Sequence, residues 1–277
     1  MKGGIFGLAT AIRFAREGCN VVITGKTQAN HPKLPGTIYS AAQDCLDNGA
    51  SGAMAVPCDI RDEKQVIAAV AKAVETFGGI DILLNNASAI RLTPTTETDS
   101  KMFDLMNQIN LRGTCHVVNM CPPISLNPQA IGGRTAYTMA KYGMSLQVLG
   151  HSEELREHGV AVNGIWPLYP IWTAAVKNRL SGMAAICMKP DIHADAIYVI
   201  VNQPSTEYTG NLTIDSWVLE SQAIKDLSTH KVDPTRPDNE FVGSMLYLEK
   251  SHTIQPPKKK VLSKPSGDLL ERSKSFL

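Results

Sequence analysis

Two residues four apart, Tyr137 and Lys141 in "YTMAK", carry the clearest chemistry in this chain. On a helix, positions i and i+4 share a face. An ammonium beside a phenol favours the phenolate and draws the tyrosine pKa down from about 10 toward neutrality. Such a tyrosine can give or take the proton when an alcohol and a carbonyl interconvert. By itself the pattern also describes an ordinary surface pair, so its surroundings matter. Three other features agree with it. "NNAS" at 85–88 closes an apolar run, Asp59 closes another in "PCDI", and "VNGIWP" ends a third at Pro167. Polar residues at the ends of successive strands are where a doubly wound sheet binds its ligand. There Asp59 could meet the adenine end of a cofactor, and the segment ending at Pro167 could face its nicotinamide. Each feature alone also fits turn chemistry; the order of all four is what points to a site.

The elements that must position these residues follow from periodicity. After Gly7, the spacing of Leu8, Ile12 and Ala15 predicts a helix that Gly18 stops. "CNVVITG" and "GAMAVPCDI" read as strands. "RDEKQVIAAVAKAVETFGG" predicts a helix capped by Asp62 and ended by Gly78 and Gly79, with Val66, Ala69, Val70, Ala73, Val74 and Phe77 on one face. "IDILLNNAS", "CHVVNM", "VAVNGIWP" and "NLTID" read as further strands, and residues 135–159 as the long helix holding the Tyr–Lys pair. Strands rich in Val and Ile that alternate with helices imply an α/β fold with a parallel sheet covered on both faces. From about Leu219 the pattern fades into segments rich in Pro, Ser and Lys, which divides the chain into a folded domain, 1–219, and a largely disordered tail, 220–277. The lysines at 258–260 read as part of a solvated linker rather than a nuclear signal.

Composition narrows the function classes. The chain has 277 residues, 43% of them hydrophobic and 19% charged, with a formal net charge of +1. That balance suits a globular protein and supplies no global field for nucleic acid or membranes. No apolar run has the length of a membrane span, and the N-terminus lacks the apolar core of a signal peptide. The six cysteines (Cys19, Cys45, Cys58, Cys115, Cys121 and Cys187) form no CxxC or zinc-type pattern and read as reduced intracellular thiols, so no metal site is expected.

The stretches "GKTQANHPKLPGTIYSAAQ", "FGGIDILLNNASAI", "CPPISLNP", "AYTMAKYGMS" and "DIHADAIYVI…TGNLTID" resemble the short-chain dehydrogenase/reductase family over roughly residues 4–219. The resemblance implies a Rossmann-type, doubly wound parallel sheet and an NAD(P)-dependent oxidoreductase that interconverts a carbonyl and a secondary alcohol. It implies that Tyr137 is the general acid/base and that Lys141 holds the nicotinamide ribose and tunes Tyr137. Asn110 in "NQINLRGT" matches the residue that completes a proton relay. Asn85, Asn86 and Ala87 match a cofactor-binding element, with Ser88 replacing its last glycine. Gly4 and Gly7 fall in the phosphate-binding turn, and Pro167 at the nicotinamide end. An acid about twenty residues past the glycines would favour NAD, but "ITGKTQ" offers Lys26, so NADP(H) is favoured over NAD(H). The loop "LYPIWTAAVKNRLSGM", with Trp172, Leu180 and Met183, points to a small apolar or lipid-like substrate. Peroxisome or mitochondrion is implied by the resemblance alone, since the C-terminal "SFL" is not a peroxisomal address.

Three departures from the family pattern set further expectations. Gly7 matches the last glycine of the turn, Ile5 stands where the middle one belongs, and the strand before them is absent. Thr24–Gly25 is no substitute. The sheet is therefore expected to lack its central first strand, so that its neighbours either close up on each other or leave backbone groups unpaired, at about 1–3 kcal/mol for each buried group. Next, Asn110 and Tyr137 are only 27 positions apart. The deletion this implies after Gly113–Thr114 removes most of a helix that packs between subunits in relatives, which leaves a homo-oligomer doubtful. Last, Cys121 stands where a catalytic serine is expected, and a thiol is a weak hydrogen-bond donor. Ser125, twelve before Tyr137, is the candidate in its place. The alternative to an active enzyme is a degenerate family member that binds cofactor weakly and does not turn over.

Overall fold

A computed structural model of the chain describes residues 5–30, 36–112, 118–173, 176–177 and 181–237. Helix α1, Ile5–Ala15, buries Ala11, Phe14 and Ala15 and ends in a turn at Gly18, whose φ of +79° suits glycine. Strand β1, Asn20–Gly25, follows at once. Helix α2, Ile38–Asp47, starts at a capping box in which Thr37 and Ser40 satisfy each other's backbone N–H, and it leads to β2, Gly52–Pro57. Helix α3, Glu63–Phe77, begins and ends where its caps predict. The Asp62 carboxylate accepts from the N–H groups of Lys64 and Gln65, and Gly78 closes the helix in the left-handed region.

The remaining strands are short: β3, Leu84–Asn85; β4, Val118–Asn119; β5, Asn163–Trp166; and β6, Leu212–Ile214. Between them lie α4, Ser100–Met106, with a π turn over Asn107–Arg112; α5, Pro128–Ile131; α6, Thr135–Glu154; α7, Asp191–Val201; and α8, Asp215–Ser221. Helix α7 is buried nearly all round, from Ile192 to Ile200, and its side chains form the centre of the largest core cluster.

Every strand pairing among the described residues is parallel, but the sheet is in two pieces. One piece is β1 with β2, in register from Asn20 opposite Gly52 to Gly25 opposite Pro57. The other has the order β3-β4-β5-β6. Among the described residues, β1 and β3 do not pair with each other. Burial follows the break. Strands β4, β5 and β6 are wholly buried, whereas β3 and most of β1 are only half-buried. The α3 face also packs less deeply than its pattern predicts. Ala69 and Ala73 are buried, while Val70 and Val74 remain exposed.

Packed structure runs past the boundary expected at residue 219. Ile224 and Leu227 pack on the main core, the Val232 N–H donates to the Cys187 carbonyl, and Lys231 bridges to Met188. The run from Leu219 lacks periodicity because it lies along the core as an irregular strap, held by isolated contacts rather than by a repeating face. Gly4, Cys115, Leu180 and the lysines at 258–260 lie outside the described residues. Among the described residues, no helix is long and apolar enough to cross a membrane.

Candidate active site

Helix α6 has almost no apolar asymmetry because it buries Lys141 and Ser145 while Met139, Leu146 and Leu149 are exposed, and it brings Tyr137 and Lys141 into the interior one turn apart. Tyr137 is 5% exposed. It packs among Met106, Met120, Trp166 and Ile214, with Phe6 of α1, Ala89 and Leu168 at the margin. The loops that follow β3 and β5 thus meet the first turns of α1 around one phenol. Ala89 follows "NNAS", and Leu168 follows Pro167.

The electrostatics differ from the simple Tyr–Lys expectation. Burial pushes the Tyr137 phenol above its usual range, because phenolate would lose its hydration in an apolar cluster. Lys141 is 1% exposed, and its Nζ donates to the Met120 carbonyl at 2.9 Å and lies 5.6 Å from the centre of the Trp166 ring. Desolvation lowers its pKa to about 8. The expected depression of the Tyr137 pKa by Lys141 is therefore corrected: desolvation governs both groups, and the ammonium is directed to Met120. At neutral pH the tyrosine is a proton donor rather than a base.

Asn110 sits in the π turn, an element that local unwinding often places at functional sites. It is fully buried and clamps the Ala89 backbone from both sides. Its Oδ1 accepts from the Ala89 N–H at 2.8 Å, and its Nδ2 donates to the Ala89 carbonyl at 2.9 Å. The turn is in turn held to α6. Gln147 donates to the Leu111 carbonyl, and Gly143 admits Leu111 so closely that a Cβ there would lie 2.5 Å from its Cδ1.

Neither candidate for the serine role reaches Tyr137 in the contacts described. The Ser125 hydroxyl accepts from the Asn127 N–H, and its backbone exchanges hydrogen bonds with the Tyr142 hydroxyl. Cys121 is buried in a separate cluster with Met144, Val148 and Leu212, where burial raises its pKa to about 12. The segment stays held to α6, with Ser145 donating to the Pro122 carbonyl and Tyr142 to the Ser125 carbonyl, but one turn or more past Tyr137, so sequence distance from Tyr137 is a poor guide to position.

The candidate cofactor residues collect at the carboxyl ends of the strands. Gly7 faces Asn86: a Cβ on Gly7 would lie 2.7 Å from the Asn86 Nδ2. That cradle brings the start of α1, whose first N–H groups have no partner within the helix, to the end of β3, an arrangement suited to an anion. Ala87 and Ser88 are exposed there. Asn85 turns inward instead and donates to Asn119 Oδ1, joining β3 to β4. At the ends of β1 and β2, Lys26 lies 3.4 Å from the Asp59 carboxylate, which also pairs with Arg61. The Arg61 hydrogen bonds, with help from Lys26, hold the Asp59 carboxyl well below the usual carboxylate range. Arg61 was not among the residues expected from sequence; its signal was a second cation two positions after Asp59. Two cations around one acid leave a net positive charge there. Pro167 is half-buried, and the next residue, Leu168, donates its N–H to Asp215 Oδ1 at 3.0 Å. Asp215 also lies 3.4 Å from the Nδ1 of the fully buried His193. These residues fit a dinucleotide in charge and placement, with the break between β1 and β3 beneath it. No group of side chains among the described residues could hold a metal ion.

Comparison with known proteins bears on the same residues. The family model for short chain dehydrogenase matches residues 2–183. Hydroxysteroid dehydrogenase-like protein 2 of Xenopus tropicalis is 49% identical over 250 residues, covering 83% of this chain and 59% of that protein. The chain thus spans about three fifths of the length of this relative. A putative dehydrogenase from Xanthomonas campestris superposes with a TM-score of 0.81 at 44% identity, covering 90% of this chain and 95% of that one. A short chain dehydrogenase from Mycobacterium thermoresistibile gives a TM-score of 0.79 at 42% identity, covering 92% and 93%.

Proposed function

Because the chain belongs to the short-chain dehydrogenase family, whose members are nicotinamide-dependent oxidoreductases, we propose that it interconverts a carbonyl and a secondary alcohol on a small, lipid-like substrate with NADP(H). The observation that carries this reading is the convergence of α1, the loop after β3 and the loop after β5 on Tyr137 and Lys141. Bound there, a nicotinamide supplies or takes up the hydride. Gly4, Gly7, Asn86 and Ala87 would hold its phosphates and ribose, Pro167 its nicotinamide edge, and Lys26 with Arg61 a 2′-phosphate beside Asp59. Asn85 supports this wall from behind through Asn119.

Tyr137 gives its phenolic proton to the carbonyl oxygen, and its raised pKa keeps that proton in place until the oxygen becomes basic. Lys141 stands one turn away and can turn from the Met120 carbonyl to a ribose hydroxyl. Asn110 fixes Ala89 and so the floor of the cleft. Ser125 would polarise the carbonyl only if the loop before α5 moved its hydroxyl off Asn127. Trp172 and Met183, both half-buried, supply the apolar cover expected of a lipid-like ligand.

A second reading is that the chain binds cofactor weakly and does not turn over, and the broken sheet beneath the phosphate site favours it. Titration with NADPH separates the two. Binding at 100-fold excess over Kd stabilises a fold by about 2.7 kcal/mol, which a melting curve reads directly. The enzyme reading expects quenched or shifted NADPH fluorescence and a raised Tm, and no response at about 1 mM NADPH sinks it. With binding established, Tyr137→Phe is expected to lower turnover by a factor of about 100 or more while leaving NADPH affinity intact. Unchanged turnover would remove Tyr137 from the mechanism.

A further inference from the structure

Behind the cleft lies a titratable pair that the proton transfer does not use. His193, in the first turn of α7, is fully buried, and Asp215, the first residue of α8, is 1% exposed. The Asp215 carboxylate collects three nitrogen neighbours. Its Oδ1 accepts from the N–H groups of Leu168 at 3.0 Å and Ser216 at 2.7 Å, and its Oδ2 lies 3.4 Å from the His193 Nδ1. Buried acids are tolerated where donors surround them in this way.

The surroundings of the imidazole select one tautomer. A carboxylate only accepts, so the ring hydrogen belongs on Nδ1, facing Asp215. The other ring nitrogen, Nε2, is buried and has no partner. A hydrogen on Nε2 would be buried without an acceptor, which favours the same tautomer from the other side of the ring. A histidine whose Nδ1–H faces a carboxylate is held in rotation, and it holds the carboxylate in return.

Three contacts of the pair lead to the margin of the Tyr137 cluster. The His193 ring meets the Phe6 ring edge-on, with 4.9 Å between centroids. Leu168 is held through its N–H, and Ser216 precedes Trp217 in the chain. Phe6, Leu168 and Trp217 all pack against the buried residues around Tyr137. They come from three segments: the first turn of α1 beside Gly7, the loop after β5 beside Pro167, and the first turn of α8. Apolar packing draws such segments together without direction. Hydrogen bonds to a buried acceptor add direction, because an N–H donates well along one line only. Asp215 thus determines the course of the backbone at Leu168, one residue beyond Pro167.

We infer that His193 and Asp215 are a positioning pair for the nicotinamide end of the cleft. Asp215 fixes the backbone that follows Pro167, and His193 holds Asp215 through Nδ1 while its ring braces Phe6. Both residues act through others. The placement of a nicotinamide beside Pro167 rests on the oxidoreductase reading; the hold on Leu168 does not.

The test uses two variants of the whole chain. His193→Phe keeps a ring beside Phe6 and removes the Nδ1 donor, and His193→Asn restores an amide N–H at the place of Nδ1. Amide hydrogen exchange is read at Leu168, and affinity is measured for NADPH and for 2′-phospho-ADP-ribose, which lacks only the nicotinamide. His193→Phe is expected to speed exchange at Leu168 and to weaken NADPH binding, each by about tenfold, while binding of the truncated nucleotide changes by less than about twofold. His193→Asn is expected to recover most of both losses. In the unmodified chain, ring nitrogen NMR spectra are expected to place the His193 hydrogen on Nδ1. Equal weakening of both nucleotides overturns the positioning role. So does unchanged NADPH affinity, unchanged exchange at Leu168, or a ring hydrogen on Nε2. If His193→Phe does not fold, the same comparisons are made on His193→Leu. If the unmodified chain binds neither nucleotide, the oxidoreductase reading falls, and the pair is decided by exchange at Leu168 and the ring spectra.

Discussion

At the scale of the residue, Lys141 is the most exacting position in the molecule. A lysine buried to 1% exposure with a pKa near 8 binds fewer protons than the same lysine in the unfolded chain, whose pKa is about 10.4. Between those values the unfolded state holds more protons, so stability from this group rises with pH. The cost of burying the ammonium is fully present below pH 8 and is relieved as pH approaches about 10. Lys141→Met, which keeps length and apolar bulk, is expected to be the more stable protein at pH 7. Its advantage should shrink by about 1–3 kcal/mol between pH 7 and pH 10, read by urea unfolding at each pH. A constant difference would mean that the ammonium is not desolvated. Asn110 acts over a similarly short range. Asn110→Ala leaves both backbone groups of Ala89 without their partner, at a cost of about 2–4 kcal/mol. Amide exchange at Ala89 should speed up with the loss of stability.

At the scale of the element, the helices that frame the site owe their limits to local chemistry. The α3 N-terminus rests on Asp62, whose Oδ1 accepts from Lys64 and Gln65. Asp62→Ala is expected to cost about 1 kcal/mol by thermal or urea unfolding, and Asp62→Ser little of that. The π turn behaves differently. It inserts a residue into the helix that continues α4, which turns Asn110 inward, and Gly143 gives Leu111 the room to follow. No periodicity of apolar residues marks such a turn, because one extra residue disrupts the period that would reveal it.

At the scale of the whole molecule, two devices hold distant segments together. Asp195 on α7 accepts from Arg13 of α1 at 3.0 Å and lies 2.9 Å from His230 in the C-terminal strap. Arg13 also pairs with Glu17 and stacks 3.9 Å over the Tyr198 ring. Asp195→Ala removes the shared acid and is expected to cost about 1–2 kcal/mol, with faster amide exchange at Lys189 and Val232 where the strap pairs. The other device is the sheet, in which β3-β4-β5-β6 form one unit, buried at β4, β5 and β6, while β1 and β2 form a separate pair. Gly7 of α1, which packs on β1, lies against Asn86 just past β3 and so links the two.

The sequence by itself determined the parallel α/β class, the α3 caps at Asp62 and Gly78, and the shared helix of Tyr137 and Lys141. These rest on spacing within one element, and spacing survives folding unchanged. It also determined the family, through motifs each a few residues long. Tertiary structure decided the rest. It placed Lys141 against the Met120 carbonyl, which lies 21 positions away in the chain, and it paired Lys26 with Asp59 across two strands. It carried packed structure past residue 219 to Ile224, Leu227 and Val232, turned Ser125 toward Tyr142, and left β1 and β3 apart. Those outcomes depend on which surfaces remain to be covered once the elements have formed, and that is a property of the assembled molecule, not of any one stretch of chain.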